Sequence, residues 1–168
     1  GGSEAAEVDV TVGLGANSVV TIPGQLLAVN GGMGTSHYGT YIKLIPSDFG
    51  ANDDGTNTKF GVGYVESADT LYGMRVANNS TELFAFVCIP EGMTATHVDI
   101  FDKNSVGIVV YEARIDQQAI VSKGTGNCNT TVDLTDVDAT ATNFLAIQVT
   151  TTSVNDKVYG GTVTIAAQ

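Results

Sequence analysis

The chain has no tryptophan, three prolines, two cysteines, two histidines and only seven basic side chains in 168 residues. Each shortage excludes something. Eighteen acidic groups against those seven give a net charge of −11, a surface that repels nucleic-acid phosphates and anionic lipid, and no basic cluster offsets it. Neither nucleic acid nor membrane is therefore expected as a partner. No apolar run approaches the ~20 residues of a helical membrane span. Cys88 and Cys128 have no second Cys or His at zinc-ligand spacing. Cys88 lies in an apolar run and reads as a buried thiol, Cys128 lies in the polar segment Asn127-Cys128-Asn129, and a bridge between them is left open. The chain begins Gly1-Gly2-Ser3, with no visible leader, which reads as a trimmed or processed start.

What is present is β-forming. Hydrophobic residues make up 43% and charged residues 15%, enough apolar material for a domain of this size to bury roughly 70% of its unfolded surface. Helical periodicity is almost absent, whereas alternation with period two recurs. Val98 and Ile100 alternate with His97 and Asp99. Leu145, Ile147 and Val149 alternate with Ala146, Gln148 and Thr150, and Val163 and Ile165 with Thr162 and Thr164. One apolar and one polar face marks an antiparallel sheet packed on one side. Strands are expected at about 7–14, 18–22, 25–29, 38–46, 60–65, 72–77, 81–89, 95–102, 106–115, 130–134, 143–152 and 157–166, with boundaries good to roughly 2–4 residues. Turn signals separate them, among them Asn30-Gly31-Gly32, Asp54-Gly55, Glu91-Gly92 and Gly124-Thr125-Gly126. The fold class is all-β, an antiparallel sandwich or jelly-roll. Residues 38–168 form the sandwich domain, while residues 1–37 read either as an N-terminal arm contacting another subunit or as its first hairpin. On the arm reading, the contact residues are Val8, Val10 and Val12 with Gly13 and Gly15.

Chemistry-bearing patterns are sparse. There is no Gly-x-Ser-x-Gly elbow and no readable Cys–His pair. Gly13-Leu14-Gly15-Ala16 and Gly31-Gly32-Met33-Gly34 lack a following Walker lysine and serve as turns. Paired carboxylates of the glycosidase type usually come with aromatic sugar platforms, and the six Tyr and six Phe are scattered. Glu112 and Asp116 flank Arg114, an arrangement that reads as cross-strand charge balance. His37 and His97 read as solvated or hydrogen-bonded side chains. Calcium is the one cofactor with a candidate. Asp53, Asp54 and Asn57 supply hard oxygens around Gly55, without the EF-hand spacing, and Asp133, Asp136 and Asp138 form a second acidic group. The alternative for the first loop is an Asx turn whose carboxylates bind their own backbone. No catalytic residue is assigned, and the chain is expected not to be an enzyme.

Several stretches carry a family likeness. They are Ile45-Pro46-Ser47-Asp48-Phe49 with Asn52-Asp53-Asp54-Gly55, Ile89-Pro90-Glu91-Gly92-Met93-Thr94-Ala95-Thr96-His97-Val98-Asp99-Ile100, and Ser122-Lys123-Gly124-Thr125-Gly126-Asn127. The most specific is Thr142-Asn143-Phe144-Leu145-Ala146-Ile147-Gln148-Val149-Thr150, leading to Val158-Tyr159-Gly160-Gly161-Thr162-Val163-Thr164-Ile165. Together they resemble virion structural proteins of marine tailed phages, of cyanophage-like and pelagiphage-like genomes, over about residues 40–168. The resemblance implies a capsid decoration (cement) protein or a fibre head, located in the virion after assembly in the host cytoplasm. It implies the major capsid protein or other virion proteins as partners, and a homo-oligomer. It carries over no functional residue. The alternative is a carbohydrate- or host-surface-binding sandwich module, with calcium as its cofactor.

Overall fold

The structure is a computed structural model and describes residues 39–52, 60–63, 73–76 and 81–168. All of them belong to the unit Gly34–Gln168. The described elements are strands β1 (Tyr41–Leu44), β2 (Gly50–Ala51), β3 (Phe60–Gly63), β4 (Gly73–Val76), β5 (Glu82–Val87), β6 (Met93–Asp102), β7 (Gly107–Arg114), β8 (Val121–Asn127), β9 (Val132–Asp138), β10 (Asn143–Thr150) and β11 (Val158–Ala167), with one 3-10 turn at Pro46–Asp48. That turn is closed by the Ile45 N–H donating to Asp48 Oδ2 at 2.8 Å.

Two antiparallel sheets face each other. One runs β3-β4-β11-β6-β9, with β1 also on β11, and the other β2-β5-β10-β7-β8. The pairings are nested along the chain: β7 with β8, β6 with β9, β5 with β10 and β4 with β11. One long antiparallel ribbon therefore folds at its β7–β8 tip, and its successive rungs fall alternately in the two sheets. Rolling the ribbon then brings β11 onto β6 and β10 onto β7, the two pairings that close each sheet.

The alternation in the sequence decides which side faces in. Val98, Ile100, Leu145, Ile147, Val149, Val163 and Ile165 are buried between the sheets with Leu83, Ala85 and Val110. Their β-branched and γ-branched side chains interdigitate there, and each fully buried one contributes roughly 1.5–3 kcal/mol. Phe49, just after the 3-10 turn, is also completely buried.

The structure corrects the sequence reading at two places. Gly124-Thr125-Gly126 is expected to be a turn, but all three residues lie inside β8. The glycines serve close approach of the sheets at this edge. A Cβ on Gly124 would sit 2.9 Å from Asp133 O and Leu134 Cδ2 of β9, and one on Gly126 would sit 2.6 Å from Val132 Cγ2. The cysteines are also exchanged: Cys88 is exposed, Cys128 is buried, and both thiols are free. Cys88 continues the outward phase set by Phe84 and Phe86, so local hydrophobicity is overruled by strand parity. Cys128 is drawn inward by the turn after β8, where its N–H donates to Val106 O at 2.8 Å. Burial, joined by the negative fields of Asp102 and Asp156, pushes its thiol up to about 12.

Candidate functional site

The outer face of the second sheet carries the strongest candidate. Strand parity turns Phe84 and Phe86 outward from β5, Phe144, Ala146 and Gln148 from β10, and Val109, Tyr111 and Ala113 from β7. Register places Phe86, Ala146, Tyr111 and Ser122 in one row across four strands, and Phe84, Gln148, Val109 and Thr125 in the next. Neither row contains a charged side chain. Phe86 is 66% exposed. Its ring lies 6.1 Å from Phe84, nearly parallel at 13°, and 6.0 Å from Phe144, edge-on at 66°. These spacings are within the range for favourable aromatic pairs. Ala146 and Ala113 are only 5% exposed although they point outward. In register they stand beside aromatic residues, Ala146 between Phe86 and Tyr111 and Ala113 opposite Phe144. Tyr111 donates its hydroxyl proton to Gln148 Oε1 at 3.0 Å, which fixes the amide in the row beside Phe84.

At the Phe86 end the platform runs into a groove of about 380 Å³, lined by Ile42, Lys43, Leu44, Asp48, Phe86, Val87 and Cys88. Charge is thus confined to the rim, where Lys43 and Asp48 stand. An uncharged aromatic centre with a polar margin is the composition that distinguishes the energetic core of protein-binding surfaces.

The residues singled out from sequence fall elsewhere. Asp53, Asp54 and Asn57, His37, and the segment with Val8, Val10, Val12, Gly13 and Gly15 lie outside the described residues. Asp133, Asp136 and Asp138 all sit on β9, but they are not brought together. Asp133 Oδ1 lies 3.3 Å from His97 Nε2, while Asp138 Oδ1 accepts from Thr94 Oγ1. Among the described residues no three His, Cys, Asp or Glu side chains are grouped as a metal set.

Of the acids around Arg114, only Glu112 makes a cross-strand pair, with Lys123 Nζ of β8 at 2.9 Å. Asp116 instead binds Arg114 within the turn after β7, through bonds of 3.0 and 2.8 Å. Asn143 Nδ2 donates to Glu112 at 2.8 Å. This bond and the Lys123 bond outweigh desolvation and hold the Glu112 carboxyl below its ordinary 4.5.

The phenylalanine platform escaped sequence reading because its members are scattered over residues 84–144 and look like ordinary strand hydrophobes. A usable signal exists in β5: Phe84 and Phe86 are in phase with Glu82, a surface residue, and out of phase with Leu83, Ala85 and Val87. The sequence matches no protein-family model and none of the curated proteins with which it was compared.

Proposed function

We propose that this chain is a virion structural protein, a capsid decoration protein of a tailed phage, which docks on the major capsid protein or another virion protein through the Phe84–Phe86–Phe144 face. The observation that carries the reading is the uncharged aromatic face on a protein of net charge −11. Exposing Phe86 to water forgoes roughly 1.5–3 kcal/mol that burial would return, so a surface of this kind is best accounted for by a partner that covers it. The net charge of −11 suits a protein that must stay soluble before it docks. The nested β4–β11 pairing supports assigning the sandwich to the jelly-roll type, in which a rolled ribbon leaves few free edges. A homo-oligomer on a symmetry axis of the particle is part of the proposal, and no catalytic step is.

The test is co-sedimentation of the full chain with shells of the source phage that lack it, followed by cryo-microscopy. Density on the shell, together with loss of binding in Phe86→Glu, is the expected result. A chain that neither sediments with shells nor occurs in purified particles would falsify the proposal.

A second reading, a glycan- or host-surface-binding module, draws on one observation. The near-parallel Phe84 and Phe86 rings lie beside the Gln148 amide, an apolar plane with a hydrogen-bonding edge. A glycan array read with the wild-type chain and Phe86→Ala separates the two readings. Signal that disappears in the variant favours sugar.

A further inference from the structure

At one end of the sandwich, two buried acids are linked through one residue, Asn104. β6 ends at Asp102, whose partner in register is Val158, the first residue of β11. The turn after Asp102 therefore lies against the loop that precedes β11, which contains Asp156. Asp102 is 4% exposed and Asp156 1%.

Asp156 is fully provided for. Its Oδ2 accepts the N–H groups of Thr152 at 2.7 Å and Ser153 at 2.9 Å and the Thr152 hydroxyl at 3.3 Å, and its Oδ1 accepts Asn104 Nδ2 at 2.7 Å. Burial pushes its pKa upward, but these donors outweigh that and leave it below 3.8. Asp102 is provided for on one side only. Its Oδ1 accepts the N–H of Asn104 at 2.7 Å and of Val106 at 3.3 Å. Its Oδ2 is buried and has no partner, the one such side-chain atom among the described residues.

The frame around Asp102 is stiff. Asn129 accepts from the Asp102 N–H at 3.1 Å and donates to its carbonyl at 2.8 Å and to Ser105 Oγ at 2.9 Å. Asn129 and Ser105 both take left-handed backbone angles, φ 64° and 56°. Asn104 ties the two acids together, its backbone to Asp102 and its side chain to Asp156, and it faces solvent.

We infer that the Asp102–Asp156 pair binds one hard divalent cation, calcium, with Asp102 Oδ2 and Asp156 Oδ1 as its protein carboxylate ligands and water entering past Asn104. A buried carboxylate oxygen without a donor is costly, and a second carboxylate nearby raises the cost. Every hydrogen bond described to these two carboxylates comes from a neutral group: backbone N–H, hydroxyl or amide. A single water on Oδ2 would satisfy the oxygen but leave both charges in place. A calcium ion satisfies the oxygen and neutralises the pair. Two carboxylates in a site completed by water place the affinity at the weak end of calcium sites, about 0.1–1 mM. The inference is independent of the docking face, and it moves calcium away from the Asp53–Asn57 loop.

The test uses the full chain in calcium chloride against sodium chloride of equal ionic strength. At about 10 mM calcium the melting temperature should rise by about 3–10 °C, and calorimetric titration should give one site. Asp102→Asn should abolish the rise and, without calcium, melt no lower than wild type, because Oδ1 keeps both backbone donors and Oδ2 has no hydrogen bond to lose. The double variant Asp53→Asn/Asp54→Asn should keep the rise. Calcium should also shift the Asn104 and Val106 amide resonances of the wild-type chain, a readout that needs no variant. No calcium response in wild type, an undiminished response in Asp102→Asn, or unmoved Asn104 and Val106 resonances overturns the inference.

Discussion

The two outer faces of the sandwich are built on the same plan and end in opposite chemistry. On the first sheet, register sets Tyr41, Thr164, His97 and Asp133 in one row and Lys43, Thr162 and Asp99 in the next. Thr131 Oγ1 donates to Asp99 at 2.6 Å, and His97 faces Asp133. Charges of both signs and hydroxyls dominate these rows, although Tyr41 and Phe101 on the same face are 54% and 50% exposed. On the second sheet, the corresponding rows hold Phe86, Ala146 and Tyr111, then Phe84, Gln148 and Val109. Strand geometry is common to both, so packing within the fold does not require phenylalanines on the second face. The difference is one of charge: the two rows of the second face carry none, and that is the property on which the proposed docking rests.

The largest expected effect separates inside from outside on one strand. Ile147 is fully buried and Gln148, its neighbour, points outward. Ile147→Ala should cost ~2–5 kcal/mol in chemical denaturation. Gln148→Ala should cost only the Tyr111 bond, ~0.5–1.5 kcal/mol.

Next comes the contrast between faces. Phe86→Glu should weaken binding to the partner particle roughly 30-fold or more, the effect of losing a central aromatic anchor, with an unchanged circular dichroism spectrum. Thr164→Glu on the other face should leave binding intact. Equal loss from both substitutions would dissolve the distinction between the faces.

Acid should loosen the molecule at two places, the Glu112–Lys123–Asn143 group and the Asp156 loop. Both carboxyls have native pKa values below their ordinary ones, 4.5 for Glu and 3.8 for Asp. Their contribution is complete above those ordinary values and is lost as pH falls through the lower native ones. Melting temperature should therefore be flat near neutrality and fall below about pH 4.5, more steeply in wild type than in Glu112→Gln.

A chemical probe gives a cheap check on sidedness. Cys88 should react with a maleimide in the native protein, and Cys128 only on unfolding, since it is buried and its thiolate is suppressed. The smallest effect is expected at the exposed His97–Asp133 pair, where Asp133→Asn should change the melting temperature by no more than a degree or so.

Much of the fold was legible because strand formation is local. Alternating Leu145, Ile147 and Val149 announced both a strand and its buried side, and the same held for Val98 with Ile100 and Val163 with Ile165. Glu91-Gly92 announced a turn, and Gly92 takes φ 76° there. Gly124 and Gly126 misled because a glycine that relieves a close contact and a glycine that bends the chain are the same letter. Cys88 and Cys128 misled because hydrophobic neighbours do not fix parity. Of the sites, sequence could name acids but could not group them: Asp102 and Asp156 went unnoticed, whereas the acids of β9 drew attention without converging.

By itself, then, the sequence determined that the chain forms short antiparallel strands with one apolar side, because side-chain direction in a strand alternates with period two regardless of what lies opposite. Only the tertiary structure decided which distant segments share a row, a pocket or an edge. Phe86 meets Phe144, and Asn104 bridges Asp102 to Asp156, because the rolled ribbon sets β10 beside β5 and β11 beside β6. Those adjacencies depend on pairings between residues tens of positions apart, and no local pattern encodes them.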